Sequence, residues 1–309
     1  MPNVRSAFWV HHPVIDQSAE AFAEATLAFH REVGGDFLKI TPSGTWMTVG
    51  HGAEDEVWPN DVIGRRRVTG AGEVDWGGLK RWDWAALPAG VATQIEAVER
   101  IVAGAGDTPV VATLFNPMTQ AHQLCGAERF AEERRTEGFA KGLETITANT
   151  QLVLEAMMDR GISGLYLATH LMQPSVCPPD EYVGASSDAQ LLNAAVAAGL
   201  DLVVFHLHGP QIVPTLAPDL SRKVILHLEA GAVEGAVEGA VKGAVEGAVE
   251  GHAVWTGVPL AELRACRGEA DVSRLRAAHG LSPNAPLTAG CCVTLDVPRS
   301  EIAGWNALA

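Results

Sequence analysis

This 309-residue sequence predicts a single-domain α/β fold, a (β/α)8 TIM barrel spanning 1–309. Two observations carry that expectation. Eight short apolar runs alternate with longer segments of helical spacing, and polar residues able to do chemistry gather at the C-terminal ends of the later runs. The runs are nearly continuous in apolar residues, as parallel strands are when both faces are covered. A doubly wound open sheet shows the same alternation and stands as the alternative, because periodicity does not encode closure.

The runs are 5–10 (RSAFWV), 36–40 (DFLKI), 109–115 (PVVATLF), 162–168 (ISGLYLA), 202–208 (LVVFHLH), 223–229 (KVILHLE), 252–256 (HAVWT) and 286–291 (PLTAGC). Helical spacing occupies 17–33, 91–104, 127–159, 187–199 and 259–279. The stretch 41–90 interrupts the alternation with TPSGTWMTVGHGAEDEVWPND and further tryptophans, and reads as a long loop or hairpin on the active-site face. Residues 231–251 repeat the unit GAVE, with Lys242 replacing one glutamate. A weakly amphipathic helix and a frayed insertion are both compatible with it; a glycine in every unit costs a helix roughly 1 kcal/mol each. Nothing in the repeat carries chemistry.

Composition bounds the function. Hydrophobic residues make up 47% and charged residues 19%, the profile of a globular enzyme with a sizeable core. A net charge of −15, with only 22 Lys plus Arg, disfavours nucleic acid and anionic membrane surfaces as partners and favours a small-molecule substrate. No window reaches the roughly 18 apolar residues of a membrane span, and the N-terminus MPNVRSAFWVHHPVIDQ lacks the apolar stretch of a secretory signal. The expectation is a cytoplasmic protein. Five cysteines in a chain of this length do not form a disulfide scaffold, so reduced thiols and a metal site fit better.

Side chains two apart on a strand share a face, so His206 and His208 project together and His227 pairs with Glu229 on the next run. Gly209 and Pro210 end the first of these strands, which places both imidazoles where barrel enzymes keep their catalytic groups. A carboxylate facing two imidazoles is costly to bury without a cation. The late run adds Cys291 after Gly290, with Cys292 beside it; which of the two sulfurs faces the site stays open. Imidazole, carboxylate and thiolate together suit Zn²⁺, while two imidazoles and a carboxylate also suit iron or another divalent metal. The structural alternatives are a core histidine bonded to a backbone carbonyl and a Glu229 paired with Arg222 or Lys223. At other strand ends, His170, Tyr166 and His227 are candidates for proton transfer, and His11, His12, Trp46 and Asn116 for substrate contact.

The segments DFLKITPSGTW, TLFNPMTQAHQLCG, VVFHLHGP and TAGCCVTLDVPRSEIAGW, in that order and over nearly the whole chain, resemble the uroporphyrinogen decarboxylase superfamily. The resemblance implies a (β/α)8 barrel. It is nearer to the zinc-dependent, corrinoid-linked methyltransferase branch, whose ligand plan is a His-x-Cys pair, a carboxylate on the next strand and a late cysteine. His206, Glu229 and Cys291 match that plan, whereas His208 stands where the branch has its first cysteine. One thiolate in place of two makes the ion more electrophilic and shifts the expected chemistry toward Lewis-acid catalysis. The decarboxylase branch fits less well, since Arg5 is the only arginine before Arg31 and no arginine-bearing loop opens the chain.

The leading expectation is therefore a zinc-dependent enzyme that activates a thiol or other soft or anionic atom for methyl or group transfer, or for bond cleavage. By resemblance alone, a corrinoid protein is its partner and its assembly monomeric or homodimeric. The other readings are a lyase or decarboxylase acting on a small carboxylated metabolite, and a noncatalytic barrel that binds metal or a small molecule.

Overall fold

The computed structural model describes residues 4–173, 175–209, 216–229, 253–281 and 285–309. The 231–251 repeat lies outside the described residues. A parallel sheet of six strands organises the molecule, in the order β1 (Leu38–Lys39), β4 (Val110–Phe115), β5 (Gly164–Thr169), β6 (Leu202–Leu207), β7 (Ile225–Glu229) and β8 (Ala253–Gly257). The helices α1 (Ala19–Val33), α3 (Ala89–Gly104), α5 (Glu137–Asp159) and α6 (Ala185–Ala197) bury apolar faces, and side chains from all four join the core on the outer side of the sheet.

Strand alternation builds two cores. Val203, Phe205 and Leu207 of β6 belong to the outer core with Leu165 and Leu167 of β5. Val204 and Leu202 join Val111, Phe115, Tyr166 and Ile225 in an inner core that also takes in Trp9, Phe37 and Trp255. An inner core of this kind requires a curled sheet. Phe37, next to β1 at one edge, stacks on Trp255 of β8 at the other, with centroids 6.3 Å apart.

Backbone pairing continues beyond both edges. Asp36 N–H donates to Ser6 O (3.0 Å), Leu287 N–H to Arg5 O (2.7 Å) and Val258 N–H to Thr288 O (2.8 Å). The predicted runs 5–10 and 286–291 thus appear as isolated parallel bridges, Ser6 to Leu287 and Val258 to Ala289, and not as full strands. Pro286 lacks a backbone N–H, so the last run cannot donate to a ladder at that residue.

The interruption at 41–90 contains a short helix α2 (Trp46–Gly50) and an antiparallel hairpin of β2 (Glu54–Val57) with β3 (Arg66–Thr69). The predicted helix at 127–159 is two helices, α4 (Pro117–Glu133) and α5, because Thr136 caps the second by accepting a bond from Phe139 N–H (3.1 Å). Likewise 259–279 divides into Leu260–Ala265 and Glu269–Ala278. No described helix is long and apolar enough to cross a membrane.

Candidate metal centre and chamber

His206 sits on the inner face of β6, fully buried, opposite His227 in the β6–β7 register. Its Nδ1 lies 3.1 Å from the carbonyl oxygen of His227, which makes Nδ1 the protonated nitrogen and turns Nε2 toward the interior. That Nε2 has no hydrogen-bond partner. His208 follows at the strand end, its ring centroid 4.3 Å from that of His206. His208 Nδ1 lies 3.2 Å from Glu229 Oε1, and its Nε2 lies 3.9 Å from Cys291 Sγ.

Both imidazoles therefore use Nδ1 for an oxygen acceptor and leave Nε2 facing inward. Histidines that bind metals are held in this way, because the outer acceptor fixes tautomer and orientation. Donor atoms of His206, His208 and Glu229 lie within 4.8 Å of one another, and Cys291 adds a sulfur beside His208. A buried nitrogen without a partner costs about 1–3 kcal/mol, and a cation at this point would remove the cost. On that observation the residues fit a divalent ion.

Electrostatics agree with the geometry. The Cys291 thiol is held well below the usual thiol range, first by the neighbouring Cys292 thiol, which outweighs burial, and then by His208 and His206. Burial and the Cys291 charge push Cys292 well up, so Cys291 is the thiolate of the pair. Burial would lower His208, yet the charges of Cys291 and Glu229 prevail and raise it to about 9. A proton on His208 then bridges the two anions that a metal would otherwise neutralise. His206, buried and beside His208, is lowered to about 4.

His227 does not open onto the site. Tyr166 OH donates to its Nδ1 (2.6 Å) and its Nε2 donates to Thr288 Oγ1 (3.1 Å), so both ring nitrogens are engaged in the interior. Tyr166 and His227 thereby brace the carbonyl that orients His206. Asn116 is fully buried and caps α4: its Oδ1 accepts from Thr119 N–H (3.0 Å), and its Nδ2 donates to Tyr182 OH (2.9 Å) and Asp188 Oδ1 (3.0 Å). No polar atom of Asn116 is left for substrate. Trp46 packs in the outer core, and His12 lies edge-on to Phe22 and Phe29.

His11 and His170, by contrast, line a cavity of about 270 Å³ in front of His208 and Cys291. Burial lowers His11 to about 4 and His170 to about 3, so both imidazoles are neutral at pH 7. The His170 backbone N–H donates to Thr119 Oγ1 (2.9 Å), which links this histidine to the Asn116 cap. Leu171, next in sequence, has φ 65° and also lines the cavity, a left-handed conformation rare for a branched side chain.

Sequence reasoning missed three contributors. His122 on α4 lines the cavity with an unpartnered Nδ1; nothing in TQAHQLCG distinguishes it. The hairpin, expected on the active-site face with Trp58 at the pocket, also brings Arg65 to Arg67 over the chamber, and these arginines carried no signal. Lys39 is buried beneath the site, with Nζ 4.3 Å from the Tyr166 ring centre and 4.9 Å from that of Trp9. Its signal was a lone charge sharing the face of Phe37 in DFLKI.

The fold and the site define an α/β protein with a curled, TIM-barrel-like parallel sheet and converging N, O and S donors at its C-terminal rim. No protein-family model matches the chain, and no curated protein matches it. Among solved structures, a methyltransferase from Methanosarcina mazei is similar over 100% of this chain and 94% of its own, with TM-score 0.73 and 16% identity. A B12-independent methionine synthase from Shewanella sp. W3-18-1, in complex with selenomethionine, is similar over 99% of this chain and 95% of its own, with TM-score 0.57 and 13% identity. At such identities the likeness is one of fold.

Proposed function

We propose that this chain is a zinc-dependent transferase on a closed (β/α)8 barrel, of the methyltransferase-like branch of the uroporphyrinogen decarboxylase superfamily. The single observation that carries the proposal is the pair of imidazoles tied at Nδ1, His206 to the His227 carbonyl and His208 to Glu229, with His206 Nε2 buried without a partner and His208 Nε2 3.9 Å from Cys291 Sγ. Closure of the barrel is supported by the backbone bonds that pass from 258 through 287–288 to 5–6 and on to Asp36. The fold likeness to a methyltransferase and a methionine synthase supports transfer chemistry.

His206, His208 and Cys291 would hold the ion, with Glu229, whose Oε1 already takes the His208 N–H, as the fourth donor. A divalent ion bound there supplies Lewis acidity that lowers the pKa of a substrate thiol. The protein's own groups do the rest. Phe115 and the β2–β3 hairpin exclude water from the chamber, and His11, which lines it, orients the substrate. Lys39 beneath the site offsets the thiolate charge of Cys291. A methylated corrinoid protein as donor follows from the resemblance.

Metal analysis of the purified protein tests this. The wild type is expected to retain about one zinc per chain and His206→Ala to retain less than about a tenth of that, with methyl transfer to a thiol lost in parallel. Absence of stoichiometric metal from the wild type, or unchanged content in His206→Ala, overturns the proposal.

A further inference from the structure

A groove of about 510 Å³ lies between the end of α2 and the start of α3, and shares no lining residue with the chamber. Its walls come from residues of 50–52 and 78–88, and two exposed cations, Lys80 and Arg81, stand on them. The arginines of the hairpin each hold a carboxylate: Arg65 pairs with Asp61 (2.7 Å), Arg66 with Asp55 (2.6 Å) and Arg67 with Glu56 (2.7 Å). Among the described residues, neither Lys80 nor Arg81 forms an ion pair or a side-chain hydrogen bond. In a chain of 37 acidic residues against 22 Lys plus Arg, two adjacent cations without a carboxylate leave room for an anion from outside. One carboxylate, that of Asp83, lines the same groove, and its Oδ1 accepts from Ala85 N–H (3.0 Å). His51 also lines it, but burial lowers this imidazole to about 4, so it adds no charge at pH 7.

Exposed lysines and arginines are ordinarily solvated without any ligand; what sets these two apart is how firmly their backbone is held. Asn149, 1% exposed in the middle of α5, accepts from Trp82 N–H at Oδ1 (2.8 Å) and donates to Lys80 O from Nδ2 (2.9 Å). A buried amide side chain thus clamps the peptide on both sides of Arg81. The Trp82 ring is fixed as well. It stacks on His51 with centroids 4.7 Å apart, and a Cβ at Gly50 would stand 2.9 Å from Trp82 Cζ2 and 2.8 Å from Val91 Cγ2. The cations therefore rise from a backbone that loses little freedom when a ligand arrives, which is the condition under which surface charges bind well.

We infer that this groove is a second ligand site, for a small organic phosphate whose phosphate group lies on Lys80 and Arg81 and whose body lies along Leu79, Trp82, Ala86 and Pro88. The site is independent of the metal reading. A phosphate monoester carries close to two charges at pH 7 and three acceptor oxygens, which matches one ammonium and one guanidinium; a carboxylate offers a single charge to the same pair. The groove is also several times larger than a phosphate group, so an organic body is needed to fill its apolar part.

Calorimetric titration of the purified protein at pH 7 and low ionic strength, where surface charges are least screened, tests the inference with phenyl phosphate, benzoate and inorganic phosphate. Phenyl phosphate is expected to bind with a dissociation constant below about 1 mM, and at least about tenfold more tightly than benzoate, which has one charge, or inorganic phosphate, which has no body. Lys80 and Arg81 are exposed and their side chains bond nothing else, so both can be replaced without unfolding the chain. The double variant Lys80→Met, Arg81→Met is expected to lose at least about tenfold in affinity for phenyl phosphate, while Arg67→Met, on the chamber wall, keeps it. A dissociation constant above about 1 mM, a preference of less than about tenfold over either comparison ligand, or affinity that survives the double variant overturns the inference. So does a loss that follows Arg67→Met, which would put the anion in the chamber.

Discussion

Replacing Lys39 by methionine should make the protein more stable at neutral pH. Lys39 is 8% exposed and no carboxylate pairs with it; Nζ is 3.4 Å from Thr41 Oγ1 and otherwise faces aromatic rings. Burial lowers its pKa from 10.5 to about 8, against the partial support of Cys292 and Cys291. At about 1.4 kcal/mol per pH unit, that depression corresponds to about 3 kcal/mol of destabilisation while the lysine is charged in both states. Cation–π attraction from Trp9 and Tyr166 returns on the order of 1 kcal/mol, so the expected gain on substitution is about 2 kcal/mol at pH 7.

The sign of the pH dependence follows from the same values. The native state releases its Lys39 proton near pH 8 and the unfolded chain near 10.5, so between these values the unfolded state binds more protons and wild-type stability rises with pH. The advantage of Lys39→Met should be full below pH 8 and fade as pH approaches 10.5. Urea unfolding of both proteins at pH 7 and pH 10 measures it. A variant less stable than wild type at pH 7, or an advantage that does not shrink with pH, would refute the reasoning.

Three further outcomes follow from the fold. Asp188 is fully buried, and burial raises it to about 7 despite bonds from Tyr182 and Asn116; the native state then keeps a proton that the unfolded chain loses above pH 4, so stability falls between pH 4 and 7 by up to about 1.4 kcal/mol per unit. Asp188→Asn should lose that slope, and parallel wild-type and variant profiles in urea would count against it. Asn116→Ala removes the α4 cap and strips a donor from Asp188, with an expected cost of about 2–4 kcal/mol in unfolding free energy; a loss under about 1 kcal/mol contradicts the assigned role. A Cβ at Gly257 would overlap the backbone of Ala289 and Gly290, so Gly257→Ala should destabilise by about 3 kcal/mol or more, and a neutral result would mean that β8 and 287–290 are not packed together.

The period-2 pattern was enough to place the six strands and to put His206, His208 and Glu229 at one rim, because a strand has only two faces. It could not distinguish a strand from a single bridge, since 5–10 and 286–291 carry the same apolar signal while their pairing depends on neighbours distant in sequence. The same limit explains His227. It shares the face of Glu229, but its distance below the rim buries it between Tyr166 and Thr288. Asn116 stood at a strand end as substrate groups do, yet it also precedes a proline-led helix, and the capping role absorbed all its polar atoms. His122 and the arginines of the hairpin reach the chamber through tertiary packing that no local spacing encodes.

Cobalt(II) substitution followed by electronic absorption probes whether two imidazoles and the Cys291 thiolate hold a metal. The expected spectrum has intense visible bands of four-coordinate cobalt together with a near-ultraviolet thiolate charge-transfer band, the latter lost in Cys291→Ser and kept in Cys292→Ser. Weak bands of six-coordinate cobalt, or a charge-transfer band that survives in Cys291→Ser, would contradict it.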